Sequence, residues 1–383
     1  MTTPGLVVVG SGPAGLSAAE TFRKRNSDDP VTVVTEDSAL PYERPPLSKE
    51  FLRGDADATD AEIHPAGWFA ERSIDVVRSA TVNAIDVAGK TVRASGRTFR
   101  FRWLVLACGS RPSPLPVAGG DKALQLRSLA DAKALRDAAS RAQSAVVIGA
   151  GFIGCEAAAS LAMRGLATVL VAPDPAPQAK RLGAEAGERI TASLTHVGVR
   201  YRGQVSVAGI DDGVVRLDDG SSIERELIVA ATGIKPQSQL AALAGVRTRD
   251  GRIVVDSGMR TSVENVFAAG DVALAHNSLA GRPIPIEHWQ DAIDQGKVAG
   301  ARAAGEHRDW DGVPGFWTTI GESTLKYHAW GDGYHSARLL ERDGGFTVWY
   351  EADGAVVGVL TQNADEDYDR GEDLIRRRRP APL

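Results

Sequence analysis

The sequence predicts an α/β protein with two doubly wound units and a small α+β C-terminal domain. Three observations carry that expectation. A Gly-x-Gly-x-x-Gly loop occurs twice, at residues 10–15 and 149–154. Each copy follows a short β-branched run and opens into a stretch of small residues with helical character. Near Gly312 the texture changes to aromatics and alternating strands.

In chain order, residues 6–9 (Leu-Val-Val-Val) read as a buried parallel strand, 16–25 as a helix and 31–34 as the next strand, with Glu36 at its end. Residues 103–107 form a further strand, and the Pro-rich run 111–116 suits a domain crossing. The second copy has a strand at 145–148, an Ala-rich helix to about Arg164 and a strand at 168–171. A matching strand, 227–231, ends in Thr232-Gly233. Residues 261–271 return the chain to the first domain, as a strand with Gly270 and Asp271 at its tip. Strands are expected at 325–329, 337–340, 346–350 and 356–360, with Asp353-Gly354 as the hairpin turn between the last two. Residues 365–379 place acids first and arginines last, which complements a helix dipole; a patch for an acidic partner is the other reading. The expected division is 1–112 with 245–311, 113–244, 312–375 and an Arg-rich tail 376–383.

Composition narrows the function. The chain has 383 residues, 43% hydrophobic and 24% charged, with a net charge of −5. That charge argues against a nucleic-acid partner. No apolar run approaches the roughly 20 residues of a membrane span. Without a recognisable leader, the expected location is the cytoplasm. Two cysteines, Cys108 and Cys155, cannot be a disulfide framework, and no Cys or His spacing points to a metal. Both cysteines read as small buried residues, although Cys155 lies at a helix start, where a thiol can be acidified.

The glycine loops carry a ligand preference. In the first, Gly10 permits the tight turn, Gly12 lets the backbone approach a pyrophosphate, and Gly15 lets helix and strand pack closely. Amides at the helix start, from Ala14 onward, supply donors for the phosphates, Pro13 having none to give, and Glu36 is placed for ribose hydroxyls. Gly149, Gly151 and Gly154 repeat the design. The two units are therefore expected to be dinucleotide-binding domains. The second strand tip reads Val171-Ala172-Pro173-Asp174, with Lys180 and Arg181 nearby. A ribose acid would favour NADH and a cation NADPH, and this tip leaves the choice open.

The run Pro41-Tyr42-Glu43-Arg44-Pro45-Pro46-Leu47-Ser48-Lys49-Glu50 reads as a stiff, extended segment. Arg44 and Lys49 on it suit an anionic, electron-accepting ligand, or the segment is a rigid surface loop. This run, after a first dinucleotide fold, resembles the FAD-dependent ferredoxin, rubredoxin and putidaredoxin reductases, relatives of apoptosis-inducing factor. Residues 149–156 (Gly-Ala-Gly-Phe-Ile-Gly-Cys-Glu) are similar to that family's NAD loop, and 266–272 (Val-Phe-Ala-Ala-Gly-Asp-Val) to its second FAD signature. Residues 286–290 (Ile-Glu-His-Trp-Gln) and Gln295-Gly296 are similar to its flavin-side helix. The resemblance spans about residues 6–317.

The resemblance implies that Gly10, Gly12, Pro13, Ala14 and Gly15 hold the FAD pyrophosphate and Glu36 the adenosine ribose. It places Arg44, Val82 and Arg111 along the FAD, and Gly270 and Asp271 at its ribityl and phosphate region. Glu287, His288 and Trp289 would lie at the flavin's pyrimidine side, and Trp317 near the ring from the C-terminal domain. Gly149, Gly151, Ile153, Gly154, Glu156 and Gly233 would serve NAD(P)H. Lys49, paired with Glu156, would sit beside the reactive edge of the ring and stabilise negative charge there; with Trp289 these form the expected catalytic set. Core packing is the alternative for both tryptophans.

The implied reaction is hydride transfer from NAD(P)H to FAD, then single electrons to a small acidic iron–sulfur protein, a ferredoxin or rubredoxin serving an oxygenase. The protein would be a monomer or homodimer. After Trp317 the chain reads Thr318-Thr319-Ile320-Gly321, where the family commonly shows a Trp-Ser-Asp-Gln-like run. That departure leaves two rivals open, reduction of a small molecule (oxygen, a quinone or a pathway intermediate) and a flavin-holding redox sensor.

Overall fold

The computed structural model describes residues 3–382. They form two compact units. The first comprises residues up to Glu43, Glu62–Arg111 and Lys235–Phe316, and the second Arg44–Ala61, Pro112–Ile234 and the chain from Trp317 onward.

In the first unit, strands Ile74–Val77, Val31–Val34, Gly5–Val9, Arg97–Leu106 and Val266–Ala268 lie side by side in a parallel sheet. Gly5–Val9 is central and wholly buried, which its unbroken apolar run dictates. Val266–Ala268 pairs with Arg97–Leu106, so the late segment does rejoin the first sheet. The strand expected at 103–107 is longer than the apolar run, because its first half, which alternates between exposed residues and buried Phe99 and Phe101, pairs antiparallel with Thr91–Ala94, which in turn pairs with Val82–Asp86. Helices Pro13–Arg25 and Trp289–Ala303 cross on this sheet at close range. A Cβ on Gly296 would lie 2.2 Å from the Ala14 carbonyl oxygen, and one on Gly300 2.3 Å from that of Ala18.

The second unit has its own parallel sheet, Arg200–Arg202, Ala167–Val171, Ser144–Ile148 and Leu227–Ala230. Helix Phe152–Met163 follows the second glycine loop. Farther on, Ser323–Ala329, Ala355–Gln362, Gly345–Ala352 and Ser336–Arg342 pair antiparallel in that order, beside Gly315–Ile320. Asp353 and Gly354 both have positive φ (51° and 75°), as a two-residue type I′ turn requires. Helix Asp365–Arg377 follows, with Asp365, Glu366 and Asp367 in its first turn and Arg376 and Arg377 in its last.

One local expectation is corrected. The Pro-rich run is not extended throughout, because Pro45–Ser48 is a 3₁₀ turn leading into helix Glu50–Arg53. Pro45 and Pro46 occupy the first positions of that turn, where an N–H has no partner to lose and the fixed φ is already helical.

Candidate functional site

Both glycine loops are built by the same steric logic. Gly10 has φ +103°, and a Cβ on it would lie 2.3 Å from the carbonyl oxygen of Ala107 at the end of the neighbouring strand. A Cβ on Gly15 would lie 2.0 Å from the Gly10 oxygen. In the second unit Gly149 has φ +104° and would meet the Ala231 oxygen at 2.4 Å, while Gly154 would meet the Gly149 oxygen at 1.9 Å. Only glycine fits these four places.

Gly12 and Gly151 are the N-caps of helices Pro13–Arg25 and Phe152–Met163. Among the described residues neither helix has a side-chain cap or an acid in its first turn. Helix Leu129–Ala139, by contrast, carries a full capping box from Ser128 and Asp131. Uncapped amides at a glycine loop suit a pyrophosphate oxygen.

The first unit adds further polar groups. Ser11 donates to the Thr35 hydroxyl (2.9 Å), which also accepts the Asp37 amide (3.2 Å). Glu36 is exposed just past its strand, while Asp37 accepts the Tyr42 hydroxyl at 2.8 Å. Gly270, at φ +79°, donates its amide to Gln295 Oε1 at 3.0 Å. Asp271 is buried beside it, and its carbonyl accepts from buried Arg252, whose other nitrogen pairs with Glu287. His288 caps helix Trp289–Ala303 and stacks on Phe316 at 4.4 Å, and Trp289 is half-buried at the first helical position. Asp291 Oδ2 and Gln295 Nε2, one turn apart on that helix, are buried with no hydrogen-bond partner. Two unsatisfied polar atoms next to the Gly270 loop fit a ligand rich in hydroxyl and amide groups, as FAD is. Val82 is half-buried and Arg111 exposed in this unit.

The second unit holds a buried charged cluster. Lys49 Nζ lies 3.0 Å from Glu156 Oε2 and donates to the Pro45 carbonyl at 2.7 Å. Ser48 donates to the same carboxylate oxygen. Glu156 Oε1 accepts the Thr318 hydroxyl at 2.6 Å and the Thr319 amide at 3.4 Å. Glu156 sits in the first turns of the helix that opens the second loop, so the loop's geometry aims it. Ser160 on that helix donates to the Ser48 carbonyl at 2.7 Å, and Arg164 to those of Leu52 and Arg53.

Arg44 is half-buried at the start of the 3₁₀ turn, Ile153 is 49% exposed and Trp317 44% exposed, so Trp317 is not a core aromatic. Gly233 has φ +97°, and its carbonyl accepts the Ser113 amide. Gln178 Nε2 donates to the Ala150 carbonyl at 3.0 Å, laying the segment after the second strand over the loop. At that strand's tip Ala172 is buried, and the Asp174 carbonyl accepts the Tyr201 hydroxyl at 2.7 Å. Burial, and then the nearby Asp174 carboxylate, push the Tyr201 phenol up to about 12.

The structure thus brings Lys49 and Glu156 together, while Trp289 belongs to the other unit. Sequence reasoning missed Ser48, Thr318, Arg252 and Asp291. Only Thr318 left a legible trace, because strand alternation turns it to the face opposite exposed Trp317. The cysteines are not acidified. Cys155 is fully enclosed with its sulfur toward the Ala150 carbonyl, whereas Cys108 is half-buried rather than buried as expected; desolvation raises both thiols, Cys108 to about 12.

The sequence profile of the pyridine nucleotide-disulphide oxidoreductases matches residues 4–296. Rhodocoxin reductase of Rhodococcus erythropolis is 31% identical, over 98% of this chain and 90% of that protein. The ferredoxin–NAD(+) reductase component of the anthranilate 1,2-dioxygenase system of Burkholderia cepacia is 32% identical, over 98% and 95%. The crystal structure of the ferredoxin reductase for the CYP199A2 system from Rhodopseudomonas palustris superposes with a TM-score of 0.94 at 28% identity, covering 99% of this chain and 96% of that one. No helix among the described residues is long and apolar enough to cross a membrane.

Proposed function

The chain belongs to the pyridine nucleotide-disulphide oxidoreductase family and is an FAD- and NAD(P)H-dependent oxidoreductase; from that premise we propose that it delivers electrons to a small acidic iron–sulfur protein serving an oxygenase. The buried Lys49–Glu156 pair carries this reading. It offers a fixed cation where reduction would build negative charge, with no dithiol in support.

Bound FAD supplies the chemistry, taking a hydride and returning single electrons. The protein's part is placement. Residues up to 112 with 245–311 hold FAD, and 113–244 hold the nicotinamide dinucleotide. Gly10, Gly12, Pro13, Ala14 and Gly15 present backbone to the FAD pyrophosphate, Glu36 accepts from its ribose, and Asp271 takes the ribityl side. Arg252 holds the Asp271 carbonyl and so fixes that loop. Gly149, Gly151 and Gly154 do for NAD(P)H what the first loop does for FAD. Glu156 and the Pro45 carbonyl hold the Lys49 ammonium in one orientation, the cation this reading assigns to the flavin. Trp289 and the amides at the start of its helix would serve the pyrimidine side of the flavin. Trp317, exposed on the C-terminal sheet, offers an acceptor an aromatic surface. We place the protein in the cytoplasm, as a monomer or homodimer.

Anaerobic stopped-flow mixing with NADH and NADPH tests the proposal. Rapid bleaching of flavin absorbance near ~450 nm, then fast reoxidation by a ferredoxin, is expected. A long-lived charge-transfer complex that no iron–sulfur protein discharges would overturn it.

A further inference from the structure

We infer that Thr318 is a positioning residue that fixes the orientation of Glu156 and, through it, the Lys49 ammonium. Ser48, Lys49, Glu156 and Thr318 are all more than nine-tenths buried. An ionised carboxylate offers about four lone-pair sites, and Glu156 fills them evenly. Ser48 Oγ and Lys49 Nζ reach Oε2, while Thr318 Oγ1 and the Thr319 amide reach Oε1.

The two oxygens are held from different parts of the chain. Oε2 is gripped by the Pro-rich turn, which Ser160 in turn ties to the Glu156 helix. Oε1 is gripped by the strand Gly315–Ile320 alone. The Thr318 bond is short at 2.6 Å, and the Thr319 amide is weak at 3.4 Å. Thr318 is therefore the principal hold on Oε1, and it restrains rotation of the carboxylate about its last bond together with the grip of Ser48 and Lys49 on Oε2. Rotation would carry Oε2 away from the ammonium and leave a buried cation with only the Pro45 carbonyl. Lys49 spends two of its three N–H donors on Pro45 and Glu156. The direction of the third follows from where those two acceptors sit.

If Thr318 only filled space, any residue of similar size would serve. If it positions Lys49, the hydroxyl is what matters. The test compares Thr318→Val with Thr318→Ser in the FAD-loaded protein, with Thr318→Ala replacing valine if that variant does not fold. The first readout is the side-chain ammonium signal of Lys49 in ¹⁵N-resolved NMR, assigned by its loss in Lys49→Met. The valine variant is expected to shift or broaden it, and the serine variant to leave it in place. The second readout separates hydride transfer from nicotinamide binding. Valine is expected to slow transfer about tenfold with binding unchanged, and serine to restore it.

The kinetic arm rests on the proposed function; the NMR arm does not. A Lys49 signal that responds in a protein that no nicotinamide reduces sinks the functional reading and leaves the positioning role standing. Normal hydride transfer and an unmoved Lys49 signal in the valine variant overturn the positioning role. Equal impairment by valine and serine also overturns it, because packing alone would then explain the site.

Discussion

Gly296 rests against the backbone of Ala14 so closely that a methyl group there would meet the carbonyl oxygen at 2.2 Å and its carbon at 2.9 Å. The obstacle is main chain from another helix, which no rotamer change relieves. Alanine at 296 would gain about 1 kcal/mol of helix propensity, but overpacking costs about 1–3 kcal/mol and can cost more against rigid backbone. Gly296→Ala is therefore expected to lower stability and weaken FAD retention, since Ala14 belongs to the first loop. Denaturant melts and flavin release on dilution check this; an alanine variant at least as stable as the parent contradicts the packing.

Lys49→Met is expected to be costly in two ways. Removing one partner from a buried ion pair leaves the other charge uncompensated, at about 3–5 kcal/mol. FAD is expected to stay bound, because the first loop and Asp271 are untouched, while hydride transfer slows. Lys49→Met combined with Glu156→Gln is expected to recover much of the stability but not the rate. Urea midpoints and single-turnover traces separate the two; an unchanged rate in Lys49→Met removes the electrostatic role.

Asp291 gives a pH dependence. Burial, and then the neighbouring Asp294 carboxylate, hold its acid group well above the usual range, against a smaller opposing pull from the Gly315 amide. The folded-state value thus exceeds the unfolded one, about 3.9. The stability Asp291 contributes is fully present below that unfolded value and is lost as pH rises through the folded one. Asp291→Asn mimics the protonated form, so its stability is expected to fall less toward alkaline pH than the parent's. Parallel melts across pH decide this, and identical slopes would falsify the assignment.

The thiols provide a simple control. Cys155 is enclosed and the Cys108 thiol is pushed up to about 12, so few thiolates exist at neutral pH. A disulfide reagent is expected to label the native protein slowly and the unfolded protein at once. Cys108→Ser is expected to leave nicotinamide-driven flavin reduction unchanged. Rapid native labelling of Cys155 contradicts its enclosure, and rapid labelling of half-buried Cys108 contradicts its raised thiol.

How much of this was legible depends on where the physical cause lies. The strands and both loops were readable because their constraints are local, a β-branched run and glycines at a set spacing whose clashes fall on adjacent strands. The turn Asp353-Gly354 was readable for the same reason, since both residues need positive φ. The helix contact through Gly296 and Gly300 was not readable, because the atoms that forbid a side chain belong to Ala14 and Ala18, far away in sequence. Arg252 carries no local signal, because the Asp271 carbonyl that it holds is brought against it only by the fold. The Pro-rich run reads as extended because proline breaks a helix interior, whereas Pro45 and Pro46 stand where a turn starts.

On the proposed function the two loops would approach phosphate with main chain, and main chain is the same in every residue. They can therefore grip a dinucleotide but cannot tell one nucleotide from another. That discrimination would then fall to a few side chains just past each second strand, exposed Glu36 in one unit and the stretch 172–174 in the other. Coenzyme choice is thus separable from coenzyme grip, and the second unit could be retuned at Ala172 and Asp174 without disturbing a single glycine.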